Sequence, residues 1–117
     1  MHAARFLSLV ATLVISGAYL YIGTRPRNPE PFRNVSDTVL HGAAYAALGL
    51  VAGDAAAAIK LAPAPLIGWG YAVGHGALLE AVQSLTPTRT AQVGDVLADA
   101  AGAALGAAVL VRRRLSR

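Results

Sequence analysis

The chain has 117 residues, 56% of them hydrophobic and only 14% charged, with a formal net charge of +4 and no cysteine. The lack of cysteine excludes disulfides, thiolate nucleophiles and cysteine-ligated metals. A soluble core of this size would leave much of its alanine, valine and leucine in water, because small domains have too much surface for their volume, so one small integral membrane domain is expected.

The first apolar span runs from about Phe6 to Gly23. Arg5 precedes it, and Ser16 and Ala18 are small enough for a signal-peptide cleavage site. The apolar run continues past that site through Tyr19, Leu20, Tyr21 and Ile22, with a tyrosine pair suited to a membrane interface, so an uncleaved span is the expectation. Pro26, Pro29 and Pro31 then forbid a continuous helix and make Thr24 to Ser36 an aqueous loop.

The second span opens near Asp37 or Thr38, with Ser36 as its N-cap, and runs to about Gly53 or on through the alanine tract toward Lys60, about residues 38–57. Pro63 and Pro65 mark the start of the third, about 66–85, which Thr86-Pro87 ends. The fourth, about 94–111, runs into Arg112, Arg113 and Arg114. Each span is roughly 16 to 22 residues, near the ~20 that a helix needs to cross a bilayer. The expected fold is all-α, a compact four-helix transmembrane bundle with short loops, forming one domain over residues 1–117.

Basic residues orient it. Arg5, Lys60, Arg112, Arg113, Arg114 and Arg117 fall on one side and Arg25, Arg27, Arg33 and Arg89 on the other, six against four. The positive-inside rule then places both termini in the cytoplasm of a multi-pass protein. No basic stripe is interleaved with aromatics, so the high pI points to anionic lipid headgroups and not to nucleic acid.

The candidate site consists of the ionisable groups inside the spans, since such groups are costly in hydrocarbon and mark function. Asp37, His41 and Tyr45 recur every four residues, Glu80 and Gln83 stand three apart, and Asp95, Asp99 and Gly102 share a stripe, so each set lines one helix face. At about 1.5 Å per residue, His41 lies roughly 6 Å below Asp37, Asp99 as far below Asp95, and Glu80 about 8 Å from its helix end, so the groups reach comparable depth near the outer leaflet. Gly102-x-x-x-Gly106 permits close helix approach in lipid, and Gly42, Gly49, Gly53, Gly68, Gly70, Gly74 and Gly76 point to the same elsewhere.

Ser36-Asp37-Thr-Val-Leu-His41-Gly-Ala-Ala-Tyr45-Ala-Ala-Leu-Gly49 resembles the D-K-x-x-H-x-x-x-Y-x-x-L-G segment of the VanZ-like integral membrane proteins. Glu80-Ala-Val-Gln83-Ser-Leu-Thr-Pro87-Thr-Arg89, followed by Asp95-Val-Leu-Ala-Asp99-Ala-Ala-Gly102-Ala-Ala-Leu-Gly106, is similar to that family's E-x-x-Q-x-x-x-P-x-R and D-x-x-x-N-x-x-G-x-x-x-G. The sequence departs from the pattern at Thr38, where the family usually has lysine, and at Asp99, where it usually has asparagine. The resemblance covers about Asp37 to Gly106. It implies a bacterial envelope protein of the cytoplasmic (inner) membrane, in a family named after a member linked to resistance to the glycopeptide teicoplanin, and it transfers a fold and a residue set more securely than a reaction.

The constellation leaves several chemistries open. His41, Glu80, Asp95 and Asp99 form an acid/base set for a reaction on a lipid headgroup or lipid-linked envelope precursor, with Arg89 and Arg33 holding a phosphate. One histidine and three carboxylates are acceptable metal ligands, but their spacing matches no metal motif, and no cofactor is assigned. Asp37, Tyr45, Gln83 and Arg89 are the expected substrate-binding residues. The alternatives are a polar pocket in which His41, Glu80, Gln83 and Arg89 recognise an envelope component or an antibiotic-related, glycopeptide-related ligand without turnover, and a structural bundle fastened by the pairs His41 with Glu80 and Arg89 with Asp95. Four short helices leave little room for a transporter's alternating access. His75, five residues before Glu80, is expected to face a different neighbour, and Trp69 and Tyr71 to pack or anchor. Asp54 is expected in solvent, near the cytoplasmic end.

Overall fold

The computed structural model describes residues 2–24, 37–85 and 93–116, with side chains from residue 3 in the first segment, 39 in the second and 96 in the third. Four helices account for nearly all of them: α1 (His2–Gly23), α2 (Asp37–Ala58), α3 (Ala64–Ser84) and α4 (Val93–Leu115). The fold is all-α and compact, as expected. The helices overrun most of the predicted bounds, by up to four residues at an end. Pro63 caps α3 in an extended conformation and Pro65 occupies the first turn, where a missing N–H costs no helical bond.

The contacts fix the topology as up-down-up-down. Tyr45 of α2 meets His75 of α3, while Gly49 and Gly53, further along α2, meet Gly68, earlier in α3, so the two helices are antiparallel. The α2 and α4 contacts rise together, from Gly42 against Gly102 to Gly53 against Leu110, so those helices are parallel neighbours. Helix α1 packs on α2 and, less extensively, on α3. Tyr45, Leu48, Ala72, Leu79 and Ala103 form the buried core, with Ile15, Tyr19 and Trp69 packed against it.

Glycine sets the tightest crossing. A Cβ on Gly102 would fall on the Gly42 carbonyl and one on Gly106 on the Ala46 carbonyl, so the backbones of α2 and α4 touch as the small-residue spacing predicts. The expectation fails for Gly70 and Gly74, which have nothing within 4 Å. Both lie on the exposed face of α3, so their small size serves no described contact.

Large apolar side chains stand on the outer faces, and several polar groups lie inside beside the apolar core. Leu13, Leu66, Leu78, Leu97 and Leu105 are exposed, while His75, Glu80, Gln83 and Asp99 are buried. Two helices, Ala3–Gly23 and Val39–Ala58, are long and apolar enough to cross a membrane. In α3 and α4 the buried polar residues, and in α4 the terminal arginines, lower the mean hydropathy although the outer faces are apolar.

Candidate functional site

His41 and Asp99 meet across the α2–α4 interface, with imidazole Nδ1 2.6 Å from carboxylate Oδ1. The meeting follows from local sequence. Gly42 and Gly102 flank the pair and let the two backbones touch, so side chains from both helices overlap instead of being held apart. Asp99 is fully buried and His41 is partly exposed. An ionised carboxylate can only accept a hydrogen bond, so opposite it Nδ1 carries the proton, and Nε2 is the second ring nitrogen. The Asp99 carboxylate also lies against Gly76 of α3, where any larger residue would occupy its space.

One turn along α2, the Tyr45 ring stacks on the His41 ring, with centroids 6.1 Å apart and planes 22° from parallel. Its hydroxyl is 2.8 Å from His75 Nδ1, and His75 Nε2 is 2.9 Å from the Ser16 carbonyl of α1. Ser16 Oγ is bonded in turn to the Tyr71 hydroxyl at 2.7 Å, and Tyr19 donates to the Ala44 carbonyl at 2.8 Å. Tyr19 also meets the Tyr45 ring edge-on at 5.6 Å. Together these contacts tie α1, α2 and α3 into one polar layer beneath the His41–Asp99 pair.

Glu80 is buried on α3, one turn from Gly76, and lies with Asp99 within electrostatic range of the Tyr45 hydroxyl. Gln83 is buried as well, but its amide donates to the Gly23 carbonyl at 2.6 Å, so it fastens the end of α1. Asp37 opens α2 and Asp95 stands in the first turn of α4, which puts both at the same end of the bundle, and their side chains lie outside the described set. Arg89, Arg33 and Ser36 lie outside the described residues altogether. No cluster of three metal-ligating side chains occurs among the described residues.

Sequence reasoning missed His75, Tyr19 and Ser16. His75 bonds the Tyr45 hydroxyl, so it belongs to the same polar assembly as the His41–Asp99 pair. The signal was the imidazole itself, an ionisable group in an apolar helix. Trp69 packs as expected and donates to the Ala100 carbonyl at 3.2 Å. Asp54 is not simply solvated: it pairs with Arg113 at the end of the bundle opposite the candidate site, joining α2 to α4. An apolar groove of about 260 Å³, lined by Leu9, Leu13, Ala52, Ile59 and Ile67, lies toward that same far end and carries no charge.

The chain was compared with protein-family models, curated proteins and solved structures, and none of the three comparisons finds a match.

Proposed function

We propose that the chain is a four-span bacterial membrane protein of the VanZ-like type, with both termini cytoplasmic. Its His41–Asp99 centre, near the outer leaflet, recognises or acts on an envelope lipid or lipid-linked precursor. The observation that carries this reading is a fully buried carboxylate paired with an imidazole inside helices whose outward faces are apolar. Such a pair is costly to hold in hydrocarbon and is retained for a purpose. Asp99 orients the ring, so Nε2 is the atom that would exchange a proton with a bound headgroup or phosphate, while Glu80 supplies a second buried carboxyl on α3. Arg89 is the candidate phosphate anchor, on the strength of its place in the family pattern.

A second reading, a purely structural bundle, is favoured by one specific observation. The bonds of Tyr19, Tyr45, His75, Gln83 and Trp69 each join two different helices, as interhelical fasteners would.

Two experiments test the proposal. The native chain has no cysteine, so single cysteines at Thr24, Leu85, Lys60 and Ser116 report sidedness cleanly in intact cells. Thr24 and Leu85 should label from outside and the other two only after permeabilisation, and any other pattern overturns the topology. For the site, purified protein should gain thermal stability with a lipid-linked phosphate and lose that gain in Arg89→Ala. Undiminished stabilisation in the variant removes the phosphate role, turnover identifies an enzyme, and binding without turnover identifies a receptor.

A further inference from the structure

His75 is buried, and both of its ring nitrogens are engaged by groups of known polarity. A backbone carbonyl can only accept, so Nε2, 2.9 Å from the Ser16 oxygen, must carry a proton. In a neutral imidazole Nδ1 is then an acceptor, and the Tyr45 hydroxyl 2.8 Å away must donate to it. The tautomer is therefore dictated by α1, and it fixes the direction of the Tyr45 O–H bond. Tyr45 is stacked on His41, and His41 is bonded to Asp99. An ordered chain of contacts thus runs from the Ser16 carbonyl through His75 and Tyr45 to the imidazole of the candidate site.

We propose that His75 is a positioning residue for that site: by holding Tyr45 in one rotamer, it fixes the plane in which His41 presents its imidazole to Asp99. The packing supports a directional role. The Tyr45 ring is hemmed by three others, with Tyr19 edge-on at 5.6 Å, His75 tilted at 5.6 Å and His41 stacked at 6.1 Å. The hydroxyl bond selects among the orientations which that cage permits. This inference rests on the proposed reading only for its consequence, since the geometric coupling of His75 to His41 can be measured whatever the site does.

The chain has three histidines, so nitrogen-15 histidine spectra of the full-length protein in lipid nanodiscs are simple enough to assign by single substitutions. The expected His75 pattern is a protonated Nε2 with a bare Nδ1, and Tyr45→Phe should shift its Nδ1 signal. His75→Leu should displace the His41 ring signals, whereas His75→Gln, whose amide offers one donor and one acceptor, should restore them toward wild type. Unchanged His41 signals in a folded His75→Leu variant would overturn the proposal. If that variant does not fold, Tyr45→Phe decides, because it keeps the ring that stacks on His41 and deletes only the hydroxyl. Unmoved His41 signals there overturn the proposal equally. Asp99→Asn separates this failure from that of the site: if it leaves His41 unperturbed, the His41–Asp99 pair itself is refuted.

Discussion

Gly76 of α3 lies directly against the carboxylate of Asp99 on α4, so that a Cβ at position 76 would fall on Oδ2. The glycine is the space the buried carboxylate occupies. Gly76→Ala should therefore displace Asp99 and destabilise the bundle by about 1–3 kcal/mol, the usual cost of overpacking. Gly74→Ala is the matched control on the same helix, because nothing lies within 4 Å of Gly74. There the gain in helix propensity, up to about 1 kcal/mol, should dominate and stabilise. Unfolding in detergent distinguishes them, and equal shifts in both variants would contradict the packing of Asp99 on Gly76.

For the His41–Asp99 pair, two magnitudes compete. Removing one partner of a buried ion pair costs about 3–5 kcal/mol in soluble proteins, because a lone charge is left behind. Hydrogen bonds between membrane helices average only about 0.6 kcal/mol with a maximum near 1.7, because separated helices also find polar partners. On the membrane reading the lower scale applies. A double-substitution cycle of His41→Ala and Asp99→Ala should give a coupling of about 0.6–1.7 kcal/mol. Zero coupling would mean that the two groups do not act as a pair, and a coupling near 4 kcal/mol would argue for a dry interior outside a bilayer.

Which parts of this arrangement could be read from sequence follows from what periodicity encodes. The four-residue recurrence of Asp37, His41 and Tyr45 specifies a face of α2, and Gly102-x-x-x-Gly106 specifies the close side of α4, so the faces that carry His41 and Asp99 were legible. Their pairing was not: the partner expected for His41 was Glu80, and the structure sets it against Asp99. Nor was His75, because its five-residue offset from Glu80 places it outside a narrow inward stripe on α3. That helix packs against α1, α2 and α4, so its buried arc is wide enough to hold His75, Gly76, Glu80 and Gln83 together. Gly70 and Gly74 misled for the converse reason: composition records small residues but not which face they occupy. The cross-helix partners of Tyr45 and Gln83 depend on how far each helix is rotated about its axis, which no single-helix pattern contains.

Helix α1 is held to the bundle by few contacts, which makes its polar ties measurable. Gln83 grips the Gly23 carbonyl at its end, and Tyr19 grips the Ala44 carbonyl one turn earlier. Gln83→Leu should cost about 0.6 kcal/mol of stability, the membrane average for one bond. Its larger effect should be local, with faster amide hydrogen exchange near Gly23 and Thr24 and little change in α4. Uniformly faster exchange across all four helices would show instead that Gln83 supports the whole bundle.

Arg113 and Asp54 bond at 2.5 Å, but both side chains are more than a third exposed. Solvent screening reduces such pairs to between 0 and about 1 kcal/mol. Arg113→Gln should therefore leave the unfolding midpoint nearly unchanged, and the small remaining effect should fade with added salt. A salt-independent loss would mean that the pair is shielded at the end of α2 and α4.

The end of α2 contains a backbone feature with a separable energetic signature. Lys60 adopts a left-handed φ of 62°, while Leu61 N–H bonds the Ala56 carbonyl at 2.8 Å and Lys60 N–H bonds the Ala57 carbonyl at 3.1 Å. This is the Schellman closure of a helix, at the position where glycine is usual. A side chain there costs roughly 1 kcal/mol through its Cβ, which glycine would relieve. Lys60→Gly should therefore stabilise the protein by about that amount, while Lys60→Ala, which keeps the Cβ, should not. The pair of substitutions separates backbone from charge: both remove the ammonium group, and only one removes the steric conflict. Equal stabilisation by alanine and glycine would assign the effect to the charge and refute the backbone explanation.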